Sequence, residues 1–326
     1  MSKDLFGNIT VPKEITVNVY HDEREIQSRW LYHSFLFVPT CNEKEVLDLL
    51  MEKRKLSKWN KEIHFVDLKD TVTANQLALG WVELFGAQFW RKVYLYFLGV
   101  NYQNLEKTVW EKKATRDFKI YNRFFQIGLY GAIKWLFINS MSGFEKVAIN
   151  NIFSDSKSRT PQDKFHTQPI QEVEGKALYK GENIVFSCNR IVEIDSDHEN
   201  ESDFPDASHL VQFVDIISGT LSQIYDATST HLGKHGCAKK LLSYGLPECV
   251  TKYDSAYFQG PYCKRYAVSF FPKEKLSRDM ISSGRSLGNM FYYSRDMVFV
   301  RTRQVELFQG LDKTRSLKKE KEKSIR

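Results

Sequence analysis

One run of nine residues, 30–38, constrains the fold of this chain most strongly. Its sequence, WLYHSFLFV, is almost entirely apolar or aromatic, and Pro39 follows it. A strand of this composition has both faces covered, so we expect it in the centre of a sheet with further layers on each side. Residues 15–20 alternate apolar and polar side chains and predict a strand immediately before it.

Strands and helices alternate along the next 190 residues or so. Apolar periodicity predicts strands at 62–68, 93–100, 146–153 and 190–194, and helices at 43–55, 73–90, 116–138 and 208–225. Three early strands followed by strands that alternate with helices predict an α/β fold, an RNase H-like core with a central mixed sheet flanked by helices.

The composition changes after about residue 230. We therefore expect an RNase H-like domain at 1–230 and a C-terminal extension or small subdomain at 231–312, where Tyr, Gly and Ser are frequent. Residues 313–326 are mostly charged and predict a basic, flexible tail.

Charge and composition narrow the classes of function. Of 326 residues, 42% are apolar and 27% charged, which is ordinary for a chain that builds a full core. The formal net charge of +7 suits a polyanionic partner such as RNA or DNA. A nucleotide-driven motor or a nicotinamide enzyme is not expected, because no Walker-type or dinucleotide-binding glycine-rich loop occurs.

The expected location is the cytoplasm. Five cysteines without close pairing argue against a disulfide framework. The first residues lack the apolar stretch of a signal peptide. The longest apolar region, 124–141, is interrupted by Gln126, Lys134 and Asn139 and predicts a buried helix, so no membrane association is expected.

Four carboxylates lie where strands or a core helix would place them together. Asp22 ends the first predicted strand, Glu62 begins the third, and Asp155 follows the strand at 146–153. Asp215 lies within an otherwise apolar helix, where an unpaired buried charge is costly. Hydrolysis of a phosphodiester can use two hard divalent cations bound by such oxygen ligands.

Motifs at these positions resemble those of the DUF3800 family. The sequence HDE at 21–23 is similar to that family's Asp-Glu-Ser motif, and EIHF at 62–65 to its Glu-Leu-Lys or Glu-Leu-His motif. IFSD at 152–155 resembles its strand-terminal Asp. VEIDS at 192–196, followed by HLVQFVD at 209–215, resembles its ending Asp-Ser and Leu-Gln-Leu-Ala-Asp.

The resemblance covers residues 15–226 and implies an RNase H-like nuclease, of bacterial or mobile-element origin. It implies that Asp22, Glu62, Asp155 and Asp215 are the catalytic residues and the ligands of Mg²⁺ or Mn²⁺. Residues considered for an accessory role, in phosphate contact or proton transfer, are Glu23, His64, Lys157 and His209.

Other interpretations stay open at this point. Asp22 also fits a turn, Glu62 an exposed strand residue, and Asp155 a helix N-cap or a loop. Arg24 and Val214 stand where the family has Ser and Ala. These departures motivate an alternative, a catalytically inert RNase H-like module that binds nucleic acid or a protein partner. Self-association through the aromatic C-terminal third is a third hypothesis.

Overall fold

The structure is a computed structural model. It describes residues 2–3, 9–10, 14–26, 29–69, 72–105, 113–138, 144–156, 163–226, 229–244, 265–272 and 275–276. The strands are β1 Ser2–Lys3, β2 Ile9–Thr10, β3 Glu14–Ile26, β4 Trp30–Pro39, β5 Tyr94–Asn101, β6 Lys146–Asp155, β7 Ile184–Phe186, β8 Val192–Ile194 and β9 Tyr266–Phe271. The helices are α1 Glu43–Ser57, α2 Val72–Ala87, α3 Lys113–Ile133, α4 Gln168–Tyr179, α5 Pro205–Asp226 and α6 Leu232–Ser243. Short helical turns occur at Phe65–Asp67, Phe89–Arg91 and Lys134–Ile138.

Seven of the described strands form one mixed sheet, which confirms the predicted fold class. The order across the sheet is β7-β6-β3-β4-β5-β9, and β8 also pairs with β6. Strands β3, β4 and β5 are antiparallel neighbours, whereas β6 runs parallel to β3 on its other side. Strands β7 and β8 continue parallel to β6. This is the strand order of an RNase H-like core.

Helices cover both faces of the sheet. Strand β4 is buried along its whole length, as its composition predicts. On one face α5 packs against β3 and β4, with α1, α2 and α6 around it, and on the other face α3 packs against β4 and β5, with α4 beside it. Each face has its own hydrophobic core. None of the described helices is both long and apolar enough to cross a membrane.

The strand predicted at residues 62–68 is wrong. That segment is irregular backbone followed by the turn Phe65–Asp67, and β5 is the third strand of the sheet instead. The backbone N–H groups of Ile63 and Phe65 donate to side chains of α5 and not to a neighbouring strand. The apolar alternation reflects burial of these two residues against α5, which requires no strand pairing.

Two described segments beyond residue 230 pack into the same sheet and core. Strand β9 pairs with β5 in parallel, and α6 contacts α2 and α5. They extend the α/β unit, while the predicted boundary at residue 230 stays a prediction. The tail predicted at 313–326 lies outside the described residues.

Candidate carboxylate site

Asp22 and Asp155 lie side by side on two parallel strands. Asp155 is the last residue of β6, as predicted, whereas Asp22 does not end its strand, because β3 stays paired with β4 as far as Ile26. The last paired residues of β3 and β6 are His21 and Ser154, and each aspartate is the next residue along its strand. Tyr20 and Phe153, two positions earlier, stack with ring centroids 5.4 Å apart in the core beneath α5. Side chains alternate along a strand, so both aspartates also face α5.

Asp215 approaches the same place from α5. Its carboxylate Oδ2 accepts a hydrogen bond of 2.7 Å from the backbone N–H of Phe65, and its side chain is 16% exposed. This bond explains why an aspartate is tolerated on an otherwise apolar helix, because the charge receives a donor from the irregular segment beside it.

A cleft of about 260 Å³ brings three of the four predicted acids together. It is lined by Asp22, Glu23, Arg24, Glu25, His64, Val66, Asp155, Ser196, Val211, Gln212 and Asp215. The fourth acid, Glu62, lies behind two of the lining residues. Its Oε1 accepts a hydrogen bond of 2.5 Å from Ser196 Oγ and lies 2.8 Å from His64 Nε2.

His64 lies between two of the predicted ligands. Its Nδ1 is 3.6 Å from Asp215 Oδ2 and its Nε2 is 2.8 Å from Glu62 Oε1. The interaction with Asp215, aided by Glu62 and opposed by burial, raises the pKa of His64 to about 9. At neutral pH the ring is therefore an imidazolium that compensates the charge of both carboxylates.

Asp155 is ionised less readily than an exposed aspartate. Burial raises the pKa of Asp155, whereas hydrogen bonding to Ser196 and the charge of His64 oppose that rise. The negative charge of Asp215 adds to the increase. A cation placed in the cleft would therefore stabilise the ionised form of Asp155.

Gln212 is a structural residue of the site that the acids alone did not indicate. It lies three residues before Asp215 and is 1% exposed. Its Oε1 accepts hydrogen bonds from the Arg54 guanidinium, at 2.7 Å, and from the backbone N–H of Ile63, at 3.2 Å. Its Nε2 donates to the backbone carbonyl of Ser196 at 2.5 Å. The i, i+3 spacing of Gln212 and Asp215 on one helix face is the signal that identifies it.

The residues considered for an accessory role do not all lie in the cleft. Glu23 lines the cleft and accepts a hydrogen bond of 2.7 Å from the hydroxyl of Tyr121. His209 does not line the cleft; it is buried, and its ring contacts that of His198 in a tilted arrangement with centroids 4.3 Å apart. Burial lowers the pKa of His209 to about 3, so the ring is neutral at physiological pH. Lys157 lies outside the described residues.

The donor chemistry of the cleft fits a hard divalent cation. Asp22, Asp155 and Asp215 offer carboxylate oxygens, the ligands that Mg²⁺ and Mn²⁺ prefer. Among the described residues, however, no group of three or more His, Cys, Asp or Glu side chains is arranged to hold a metal ion. The ligands are in one cleft, and binding would require their side chains to turn toward a common point.

Comparison with known proteins identifies no family for this chain. No protein-family model matches it, and no curated protein matches it. Among solved structures, the PCNA:RNase HII complex from Archaeoglobus fulgidus is similar at 14% sequence identity and a TM-score of 0.29. That match covers 83% of this chain and 91% of the other. A likeness of this size carries no argument about activity.

Proposed function

We propose that this protein is a metal-dependent nuclease that hydrolyses phosphodiester bonds in RNA or DNA and that it belongs to the DUF3800 family. The observation that carries the proposal is the convergence of Asp22, Asp155 and Asp215 on one cleft from two adjacent parallel strands and a core helix. Rigid elements of this kind hold carboxylates in place while leaving one side of the cleft open.

The carboxylates would hold one or two Mg²⁺ or Mn²⁺ ions, with Glu62 as a further ligand. When bound, such ions activate water and neutralise charge on the attacking and leaving oxygens. The chain's own residues position the ligands. Ser196 orients Glu62, and the backbone N–H of Phe65 fixes one oxygen of Asp215. His64 supplies a positive charge between Glu62 and Asp215.

The test is cleavage of labelled single-stranded RNA, single-stranded DNA and duplexes in Mn²⁺, Mg²⁺ or EDTA. Asp215→Asn keeps an oxygen that can accept from Phe65 and should therefore fold normally, yet we expect it to lose at least about 100-fold in cleavage rate. Asp206→Asn, an exposed aspartate on the same helix, is the matched control and should keep full activity. Equal cleavage by wild type and Asp215→Asn would overturn the proposal.

A second candidate is a catalytically inert module that binds nucleic acid or a protein. It is favoured by the His64 imidazolium, which already compensates Glu62 and Asp215 without any metal ion. This candidate predicts salt-dependent binding and no product in any divalent metal. A metal-dependent product that disappears in Asp215→Asn would exclude it.

A further inference from the structure

Two cationic side chains contact the ring of Phe65, and one of them, Arg24, lines the carboxylate cleft. The Arg24 guanidinium carbon lies 4.9 Å from the centroid of that ring, and Lys234 Nζ lies 5.7 Å from it. Arg24 follows Asp22 by two positions on β3, so it is on the same face of the sheet and lines the cleft. Lys234 is in the first turn of α6.

Within the described part of the chain, the hydrogen-bonding capacity of these cations is not fully used. Arg24 Nε is buried and has no hydrogen-bond partner there. Lys234 is 6% exposed, and its ammonium donates to the backbone carbonyl of Val66 at 2.7 Å. Burial and the charge of Arg24 lower the pKa of Lys234, against the opposing effects of Asp67 and Asp215. An anion placed against Arg24 would reduce the repulsion between the two positive charges.

Phe65 links the two cations to the carboxylates. Phe65 contacts both cations through its ring and donates its backbone N–H to Asp215. Arg24 therefore lines the cleft together with the carboxylates, and Lys234 contacts the same Phe65 ring as Arg24. A phosphodiester has the matching character, because its oxygens suit a guanidinium while hard cations on carboxylates suit the bond to be hydrolysed.

We propose that Arg24, with Lys234 behind it, binds a phosphate group of a nucleic-acid strand next to the bond that is cleaved. The inference rests on the proposed function and names a substrate contact at the same site. A contact of this kind positions the strand and carries no base sequence, so the binding it supplies depends on salt and not on sequence.

The experiment measures binding apart from cleavage. Fluorescence anisotropy with labelled single-stranded RNA, and with DNA of the same sequence, is recorded in EDTA over a range of salt concentrations for the full chain. The variants are Arg24→Gln and Lys44→Gln. Lys44→Gln is the matched control, since it removes the same charge from an 86% exposed side chain paired with Asp48 on α1. Thermal unfolding of each variant identifies any that fails to fold.

We expect Arg24→Gln to weaken binding about tenfold and to reduce the slope of log affinity against log salt by about 1, while Lys44→Gln changes neither. The inference would be overturned if Arg24→Gln kept its affinity, if Arg24→Gln and Lys44→Gln lost affinity equally, or if wild type did not bind. Competition by inorganic phosphate at the strand's own affinity would also overturn it, because the pair would then bind isolated phosphate.

Cleavage in Mn²⁺ is scored separately. Arg24-dependent binding without cleavage contradicts the nuclease proposal alone, and cleavage with Arg24-independent binding contradicts this inference alone.

Discussion

Gln212 connects three segments at the carboxylate site. It receives the Arg54 guanidinium and the backbone N–H of Ile63, and it donates to the carbonyl of Ser196. All of these hydrogen bonds are buried or nearly so. Water therefore cannot fully replace a bond that is lost, and the protein is destabilised.

Replacing Gln212 with Leu should destabilise the protein strongly. The substitution removes the acceptor of Arg54 Nη2, on a side chain that is 3% exposed, although Nη1 keeps the backbone carbonyl of Lys61. A loss of about 2–4 kcal/mol is expected in the free energy of unfolding. Gln168→Leu, at an exposed position of α4, is the control and should change stability by less than about 0.5 kcal/mol. Urea unfolding measures both. Similar values for the two variants would contradict this account.

His33 predicts a pH dependence of stability. It is fully buried, its Nδ1 lies 3.0 Å from His21 Nε2, and burial lowers its pKa to about 3. The unfolded chain takes up this proton near pH 6.5, as a free histidine does. The stabilising contribution is therefore fully present above pH 6.5 and is lost as the pH falls toward 3.

His33→Asn keeps a polar atom near His21 but removes the titration. Between pH 6.5 and 4 we expect the unfolding free energy of wild type to fall more steeply than that of the variant, by up to about 1.4 kcal/mol per pH unit. Urea unfolding at several pH values gives both slopes, and equal slopes would contradict the prediction.

For single residues, the sequence predicted the location of a site residue where that location depends only on the residue's own strand or helix. Asp155 was expected at a strand end and Asp215 on a core helix, and each lies there. Asp22 was also expected at a strand end but lies within β3, because pairing with β4 carries that strand on to Ile26. Arg24 and Lys234 were not expected as a pair. They are 210 positions apart and meet only because β3 and α6 both pack around Phe65, a contact that local pattern does not encode.

At the scale of elements, the segment after α1 differs most from expectation. Alternation at 62–68 predicted a strand, but Gln212 and Asp215 accept hydrogen bonds from two of its N–H groups, those of Ile63 and Phe65, which a neighbouring strand would otherwise do. Backbone groups must be satisfied, yet side chains can satisfy them as well as a sheet can. The close approach of α5 to this segment is possible because residue 219 is glycine. A Cβ there would lie 2.0 Å from Phe65 Cγ.

Gly219→Ala is therefore expected to destabilise the protein although alanine favours helices. Overpacking against the Phe65 ring should cost about 1–3 kcal/mol, which exceeds the gain in helix propensity of about 1 kcal/mol. Gly175→Ala on α4 is the control, since nothing lies within 4 Å of its added Cβ. That variant should gain about 0.5–1 kcal/mol. The two midpoints of urea unfolding should move in opposite directions, and movement in one direction would contradict the packing described.

For the whole molecule, the pairing of β9 with β5 decides whether the sheet unfolds in one transition or in two. The change in composition near residue 230 marked an extension, but no pattern in the sequence shows that β9 pairs with β5 across 160 or so intervening residues. Phe270 on β9 packs against Trp30 and Tyr225, with centroids 5.7 and 5.1 Å away. Residues from both ends of the described chain thus share one core.

Phe270→Ala should consequently lower the stability of the whole sheet. Removing this fully buried ring is expected to cost about 3–5 kcal/mol, and unfolding should remain a single transition. Leu178→Ala, at a side chain that is 84% exposed, is the control and should change stability by less than about 0.5 kcal/mol. Tryptophan fluorescence and far-UV circular dichroism follow the transition. Two separated transitions would show that the C-terminal residues fold apart from the sheet.

The central claim is that Asp22, Asp155 and Asp215 form one site for a divalent cation. Calorimetric titration of Mn²⁺ at pH 7.5 into wild type, Asp155→Asn and Asp206→Asn tests it most directly. Wild type and Asp206→Asn should bind Mn²⁺ with the same affinity, whereas Asp155→Asn should bind at least about tenfold more weakly, because a carboxylate ligand has been lost. Equal binding by all three proteins, or no binding by any of them, would contradict the claim.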